Sequence, residues 1–403
     1  MYCGKCGTDM GQFRYCPNCG FDSQSGNTQT DENSESVAKT QNFNNDGTQT
    51  QQVQNNTQAK SKSISESFTE KIKETFTEIT GGNSNDIKFS LTDLCCDVFK
   101  KHKAEESEAL LITGTSSTTP DVKDIANGWN RPWLYSRILA VLAITFGLLY
   151  ICVSNFKNVI ALPGLIFIGA MMMPFSLLIL FWETNIPRNI SIFDLVKMFF
   201  VGGVSSLVFT LTIFSFIEVG ELDVIGATLV GIIEEVGKLV AVVLFIHMNK
   251  SKYILNGLLI GAAIGAGFAV FESAGYAFVY GETLNGILDS IVKRGLLSAG
   301  GHIVWAAMSG AAIMLAKKDA PMSWDVFKKG NFWRLFVIPI ILHALWDMPF
   351  AAGSGNYTVL VALVVLAWIF ILALIRSGMA EVSRISVALN EQQNAGEEQQ
   401  EEI

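Results

Sequence analysis

Apolar runs of membrane-spanning length crowd the chain after Arg137 and are almost missing before it. About 20 predominantly apolar residues suffice to carry a helix across the hydrocarbon core of a bilayer. By that measure eight spans are expected: Ile138–Val153, Val159–Trp182, Phe193–Ile217, Val224–Met248, Tyr253–Tyr280, Leu296–Leu315, Leu335–Phe350 and Val359–Ile375, of which the first and seventh are short. The pattern upstream is different. Ile64, Phe68, Ile72, Phe76 and Ile79 recur at helical spacing among Lys, Glu, Ser and Thr, predicting an amphipathic helix that lies on the membrane surface or docks on a partner. A second short element is expected over Phe89–Lys101, followed by loop over Gly114–Pro120. From Asp22 to about Lys60 the chain is mostly Gln, Asn, Thr, Ser and Asp, a composition that predicts a disordered tether; the Glu/Gln-rich tail after Ser377 reads the same way.

Cysteine placement adds one module. Four of the seven cysteines stand in the first twenty residues, as Cys3-Gly4-Lys5-Cys6 and Cys16-Pro17-Asn18-Cys19, while Cys95, Cys96 and Cys152 are scattered. Two such knuckles supply four thiolates, enough for one closed tetrahedral Zn²⁺ site with a structural or docking role. Gly7 and Gly20 follow the knuckles directly and permit the tight turns they need. So small a unit has almost no core, so the metal has to hold it. The expected architecture is an all-α polytopic membrane protein of about eight transmembrane helices with a small N-terminal zinc ribbon. Its divisions are 1–20 ribbon, 21–60 linker, 61–130 cytosolic segment with amphipathic helices, 131–377 multi-span membrane domain and 378–403 acidic tail.

Charge sets the expected orientation. Lys250 and Lys252 follow the fourth span, and Lys317, Lys318, Lys328, Lys329 and Arg334 follow the sixth; Arg131 and Arg137 precede the first, and Arg376 and Arg384 follow the last. Glu218, Glu221 and Asp223 make the stretch before the fourth span acidic. Eight alternating spans put the basic segments on one side, which the positive-inside rule makes cytoplasmic. The expectation is a multi-pass plasma-membrane protein with both termini in the cytoplasm, where reduced cysteines suit zinc. One segment conflicts: Lys293 and Arg294, in the expected loop Gly281–Arg294, fall outside. A formal net charge of -8 with no basic arm argues against nucleic acid as a partner. No cleavable leader is expected, since Met1-Tyr2-Cys3 opens with no apolar core.

The candidate chemistry lies inside the spans. Glu234, Glu235 and Lys238 stand near the middle of the fourth. A carboxylate at that depth costs about 2.5–3.5 kcal/mol on insertion scales, so two with an ammonium need a reason. Glu234 and Lys238, four apart on a helix, share a face and can pair, leaving Glu235 free to face a cavity. The fifth span carries a ridge of small residues, Gly257, Gly261, Gly265, Ala269 and Ser273, read as close packing, and beside it a third carboxylate, Glu272. His302 lies in the sixth span, and His343 with Asp347 one turn later in the seventh. Of the four histidines, His247 reads as interfacial and His102 as a solvated surface residue. Measured from the outer end of each span, Glu235 comes out roughly 17 Å deep, Glu272 about 12 Å, His302 about 9 Å and His343 about 10 Å. Shared depth on four helices predicts one polar chamber. Carboxylates that can take a proton from water, with imidazoles that can hold a metal or an oxyanion, are what hydrolysis needs.

Four stretches in order, Glu234-Glu235-Val236-Gly237-Lys238, Phe268-Ala269-Val270-Phe271-Glu272, Gly301-His302 and His343-Ala344-Leu345-Trp346-Asp347, resemble the motifs of the PrsW-type intramembrane proteases. The resemblance covers roughly Phe193–Phe350. That family is related to the type II CAAX prenyl proteases, and Lys238 and Glu272, where those relatives usually have Arg and His, favour the PrsW branch. The resemblance implies an endopeptidase that cuts a membrane protein in or beside a transmembrane segment, with anti-sigma factors as its best-known target class. It implies Glu234 or Glu235 as general base, with Lys238 fixing the pair. His302 and His343, with or without Glu272, hold a catalytic Zn²⁺ or stabilise the oxyanion directly, and Asp347 orients His343. No His-Glu-x-x-His pair occurs, so metal use stays open between those two readings.

Two other readings compete. A non-catalytic membrane sensor or scaffold would use the ribbon and amphipathic helix to recruit a cytosolic partner. A proton-coupled transporter also carries intramembrane carboxylates and histidines, but the halves show no internal repeat.

Overall fold

The computed structural model describes residues 70–71, 73–82, 91–125, 131–281, 283–352 and 357–401. The expected ribbon with Cys3, Cys6, Cys16 and Cys19, the linker and the first part of the amphipathic stretch lie outside the described residues. Among the described residues every regular element is helical and no strand is present.

Among the described residues nine longer helices build the membrane domain: α1 (Leu134–Ser154), α2 (Leu162–Thr184), α3 (Ile192–Phe214), α4 (Val224–Met248), α5 (Ile254–Tyr280), α6 (Leu284–Leu297), α7 (His302–Lys317), α8 (Gly330–Asp347) and α9 (Thr358–Glu401). Among the described residues six candidate membrane crossings qualify by length and apolar composition: α1, Val159–Thr184, α3, Ile254–Val279, the α6–α7 stretch Leu284–Lys317, and Thr358–Ala395. The protein is therefore a multi-pass membrane protein. The expected count of eight included α4 and α8 as well. They fall short by composition, because α4 carries Glu234, Glu235 and Lys238, and α8 is a short helix carrying Arg334, His343 and Asp347.

The helix α5 is the hub. It packs against α2, α3 and α7, and its contact with α7 is the most extensive between any two helices. The small-residue ridge explains this. A Cβ on Gly261 would overlap the carbonyl of Ala306, and one on Gly310 would overlap the carbonyl of Gly257, so the two backbones touch. At the periphery α1 turns Val141, Ile144, Leu148 and Ile151 outward, the apolar surface a lipid environment accepts. Its first turn is held by the buried Glu183 carboxylate of α2, which accepts from the N–H groups of Trp133, Leu134 and Tyr135 at 2.8–2.9 Å. That carboxylate satisfies donors that a helix start leaves without intrahelical partners.

Several expectations need correcting. The segment Gly281–Arg294 is no loop. Most of it is the amphipathic helix α6, which passes through a 3-10 turn at Ser298–Gly300 and Gly301 into α7. The expected disordered tail of 378–403 is instead helical to Glu401, because Met379, Ala380, Val382 and Ser386 are buried and Glu381 accepts from the Ile254 N–H at 2.8 Å. Its Glu, Gln and Ala residues are also good helix formers. His102 is not simply solvated: its ring stacks on Trp133 at 3.8 Å and bonds to Glu106 and the Asp97 carbonyl. Of the expected element Phe89–Lys101, the described part from Leu91 onward holds a 3-10 turn at Leu91–Leu94, and the regular helix comes later, at Ala104–Leu111. The amphipathic stretch is helical over 73–80 and docks on the membrane domain, with the Phe76 ring 5.1 Å from that of Phe370 and Glu78 paired with Arg334.

Candidate active site

Glu234, Glu235 and Lys238 sit side by side halfway along α4 because residues three and four apart share a helix face. Lys238 is fully buried beneath the Phe268 ring, whose centroid lies 4.3 Å from Nζ. An ammonium has three protons and no acceptor, and this one has three partners. They are Glu235 Oε1 at 2.7 Å, His302 Nδ1 at 2.8 Å and Glu234 Oε2 at 3.4 Å. The shorter carboxylate contact is with Glu235. The expected Glu234–Lys238 pair is present, but Glu235 is not free: it is the closer and fully enclosed partner, whereas Glu234 keeps a side-chain exposure of 10%.

His302 is the first residue of α7, placed where the α6–α7 chain breaks and re-forms. Its Nε2 lies 2.9 Å from Glu272 Oε2 on α5. The same oxygen accepts from Arg294 Nη2 of α6 at 2.6 Å. His343 on α8 faces His302 edge to face, with ring centroids 5.1 Å apart. Trp305 stacks on the His343 ring at 4.4 Å and meets the His302 ring at 5.2 Å, which fixes both imidazoles. His343 Nδ1 lies 3.0 Å from Glu235 Oε1, while its Nε2 is 3.4 Å from Asp347 Oδ2 and 3.6 Å from Glu234 Oε2. All seven residues singled out inside the spans therefore meet in one cluster contributed by α4, α5, α7 and α8. His247 is exposed at the end of α4, away from it.

The cluster can be tested against a metal ion. Glu234, His302 and His343 each offer a donor atom, and these atoms lie within 4.8 Å of one another. One carboxylate with two imidazoles is a donor set of catalytic zinc sites, which keep a further position for water or substrate. With the Nδ1 proton of His343 directed to Glu235, the Nε2 lone pair faces two carboxylate oxygens. Either a second ring proton or a cation would relieve that crowding. Glu235 then stands behind His343 as the carboxylate that fixes a ligand's tautomer. The buried Glu235 Oε2 has no hydrogen-bond partner, which adds to the electron-rich character of the site. The residues fit a divalent cation.

The cluster has one member that the sequence reading did not place in it. Arg294 looked like a misplaced charge on an outer loop; the helix α6 carries it onto Glu272. The signal was present as the conflict with the positive-inside rule, since a basic residue on the wrong side needs a local partner. Beside His302 lies a cavity of about 100 Å³, lined in part by Ser273, Arg294, Ser298, Trp305 and Trp346. It has room for several waters.

Residues 192–375 match the PrsW-protease family, described as the PrsW family intramembrane metalloproteases. No curated protein and no solved structure matches the chain. The match spans α3 to the first part of α9 and so contains every side chain of the cluster. On this evidence residues 192–375 are a PrsW family intramembrane metalloprotease domain, and the protein that carries it is a peptide-bond hydrolase.

Proposed function

We propose that the protein cleaves a membrane-protein substrate in or next to its transmembrane segment, at the Glu234–His302–His343 cluster. The observation that carries this reading is the convergence of those three donors, from α4, α7 and α8, beside a cavity in the family-matched part of the chain. His302, His343 and Glu234 Oε2 would hold a divalent cation, Zn²⁺ being the ion such a donor set suits, with Lys238 giving up its contact to His302 Nδ1 so that this lone pair is free for the ion. When bound, that ion polarises the peptide carbonyl and makes water a stronger acid.

The chain's own groups do the rest. Glu234 is the less enclosed of the glutamate pair, and its second oxygen takes the proton from water and returns it to the leaving amine. Glu235 accepts the Nδ1 proton of His343 and orients the ring. Lys238 balances the two carboxylates, which at this depth could not both stay ionised without it. Asp347, on the open side of His343, helps to hold that ring. Closure by Phe268, Trp305 and Trp346 keeps the low-dielectric surroundings in which these charges act strongly.

Beyond the cluster, the four N-terminal cysteines hold a structural Zn²⁺ and serve as a cytosolic docking module. The helices α4 and α8 also cross the plasma membrane, which returns both termini to the cytoplasm. The substrate class is a membrane protein of the anti-sigma-factor type. The test is cleavage of a fluorescent transmembrane substrate by the purified chain in proteoliposomes. Glu234→Gln keeps a ligand oxygen but removes the base, so it should lose activity by about 10²–10⁴-fold without unfolding. Undiminished cleavage by that variant, or by His302→Ala, contradicts the assignment.

A further inference from the structure

The cluster contains a second chain of contacts, which runs away from the glutamate pair and ends on α6. All three Lys238 protons are committed to acceptors, so His302 Nδ1 receives one and carries none of its own. The ring proton of neutral His302 therefore sits on Nε2 and is donated to Glu272 Oε2. Glu272 is in turn fixed from outside. Arg294 donates from Nη2 to the same Oε2, donates from Nε to Ser273 Oγ at 3.2 Å, and lays its guanidinium 4.1 Å from the centroid of the Tyr276 ring. One side chain of α6 thus grips one full turn of α5.

From this we infer that Arg294 is a positioning residue for the active centre. By anchoring Glu272 it locks His302 in the Nε2–H tautomer, with the Nδ1 lone pair turned toward Glu234, Lys238 and His343. Without Arg294 the Glu272 carboxylate loses its only charged partner on α6, and its direction toward His302 becomes one rotamer among several. The ring could then flip or change tautomer, presenting an N–H where a lone pair is needed. This geometry also explains a broken chain at Gly301: α6 must pack across α5 to deliver Arg294, whereas α7 must begin at His302. The importance for turnover rests on the hydrolytic role proposed above; the tautomer assignment does not.

The chain has only four histidines, so a ¹⁵N-histidine-labelled sample of the full protein in detergent gives at most four imidazole spin systems. His302 is assigned by the signals lost in His302→Gln. The wild type should show His302 protonated at Nε2 and bare at Nδ1; Arg294→Ala should show averaging between tautomers, and Arg294→Lys an intermediate state. A wild-type His302 protonated at Nδ1, or a spectrum unchanged in Arg294→Ala, overturns the inference. In the cleavage assay Arg294→Ala should lower kcat about 10–100-fold with KM little changed, the usual cost of losing a ligand's outer partner. Added guanidinium ion, admitted through the cavity beside His302, should restore much of that loss. Loss that tracks the melting temperature and resists guanidinium contradicts a positioning role. A wild type that cleaves nothing, yet shows the tautomer and its loss in Arg294→Ala, defeats the hydrolytic reading and leaves this one standing.

Discussion

The two ends of the α5–α7 pair use opposite means to join the same two helices. Toward one end Gly257, Gly261 and Gly310 remove side chains so that backbone lies on backbone. Toward the other end Glu272 and His302 face each other across a polar contact of 2.9 Å. The boundary falls at Gly265, where an added Cβ would overlap the His302 carbonyl. The seam thus stops at the backbone of His302. Close packing in this sense transmits position: a rigid, crystal-like contact fixes where α7 begins, and the ionisable side chains then need only short-range hydrogen bonds to align. Expensive groups inside a membrane are tolerable when cheap packing next to them has already done the orienting.

Variants on the two sides of that boundary should separate activity from stability. The largest effect is expected from Glu234→Gln, an activity loss of about 10²–10⁴-fold with an unchanged melting temperature. Lys238→Met should cost about 3–5 kcal/mol of stability, because it leaves buried carboxylates unpaired, and activity should vanish with it. Denaturation in detergent reads the first loss and the cleavage assay the second; a Lys238→Met protein as stable as wild type would show that the glutamates do not need the ammonium. Within the seam, Gly261→Val should cost about 1–3 kcal/mol through overpacking. Its surviving folded fraction should still cleave, which is the reverse of the Glu234→Gln pattern. Smallest, Glu183→Ala should cost about 0.5–2 kcal/mol by uncapping α1 and leave the cleavage rate of folded protein alone. A large catalytic defect there would mean that α1 is coupled to the site.

Much of the site is legible in the sequence because intramembrane charges are few and costly. The pairs at Glu234–Glu235 and His343–Asp347, together with Glu272 and His302, stand out against apolar surroundings, and helical rise alone puts them at overlapping depths. Spacing cannot say which glutamate Lys238 favours, since i,i+3 and i,i+4 partners are both within reach. That choice is made by His343 and Phe268, which come from other helices. Arg294 is visible as a charge on the wrong side, but not its target, because the amphipathic pattern of α6 gives a buried face without saying which helix it packs on. The same limit applies to the final helix. Composition alone assigns 378–403 to disorder, whereas burial of Met379 and Val382 against the rest of the domain carries the helix on to Glu401.

Glu234, His302 and His343 are proposed to form a metal-holding hydrolytic centre. Zinc bound per chain is the most direct test, measured on purified full-length protein in which Cys3, Cys6, Cys16 and Cys19 have been changed to Ser to silence the N-terminal thiolates. One zinc per chain is expected, released when His343→Ala is added. A chain that binds none, or that keeps its zinc after His343→Ala, would contradict it.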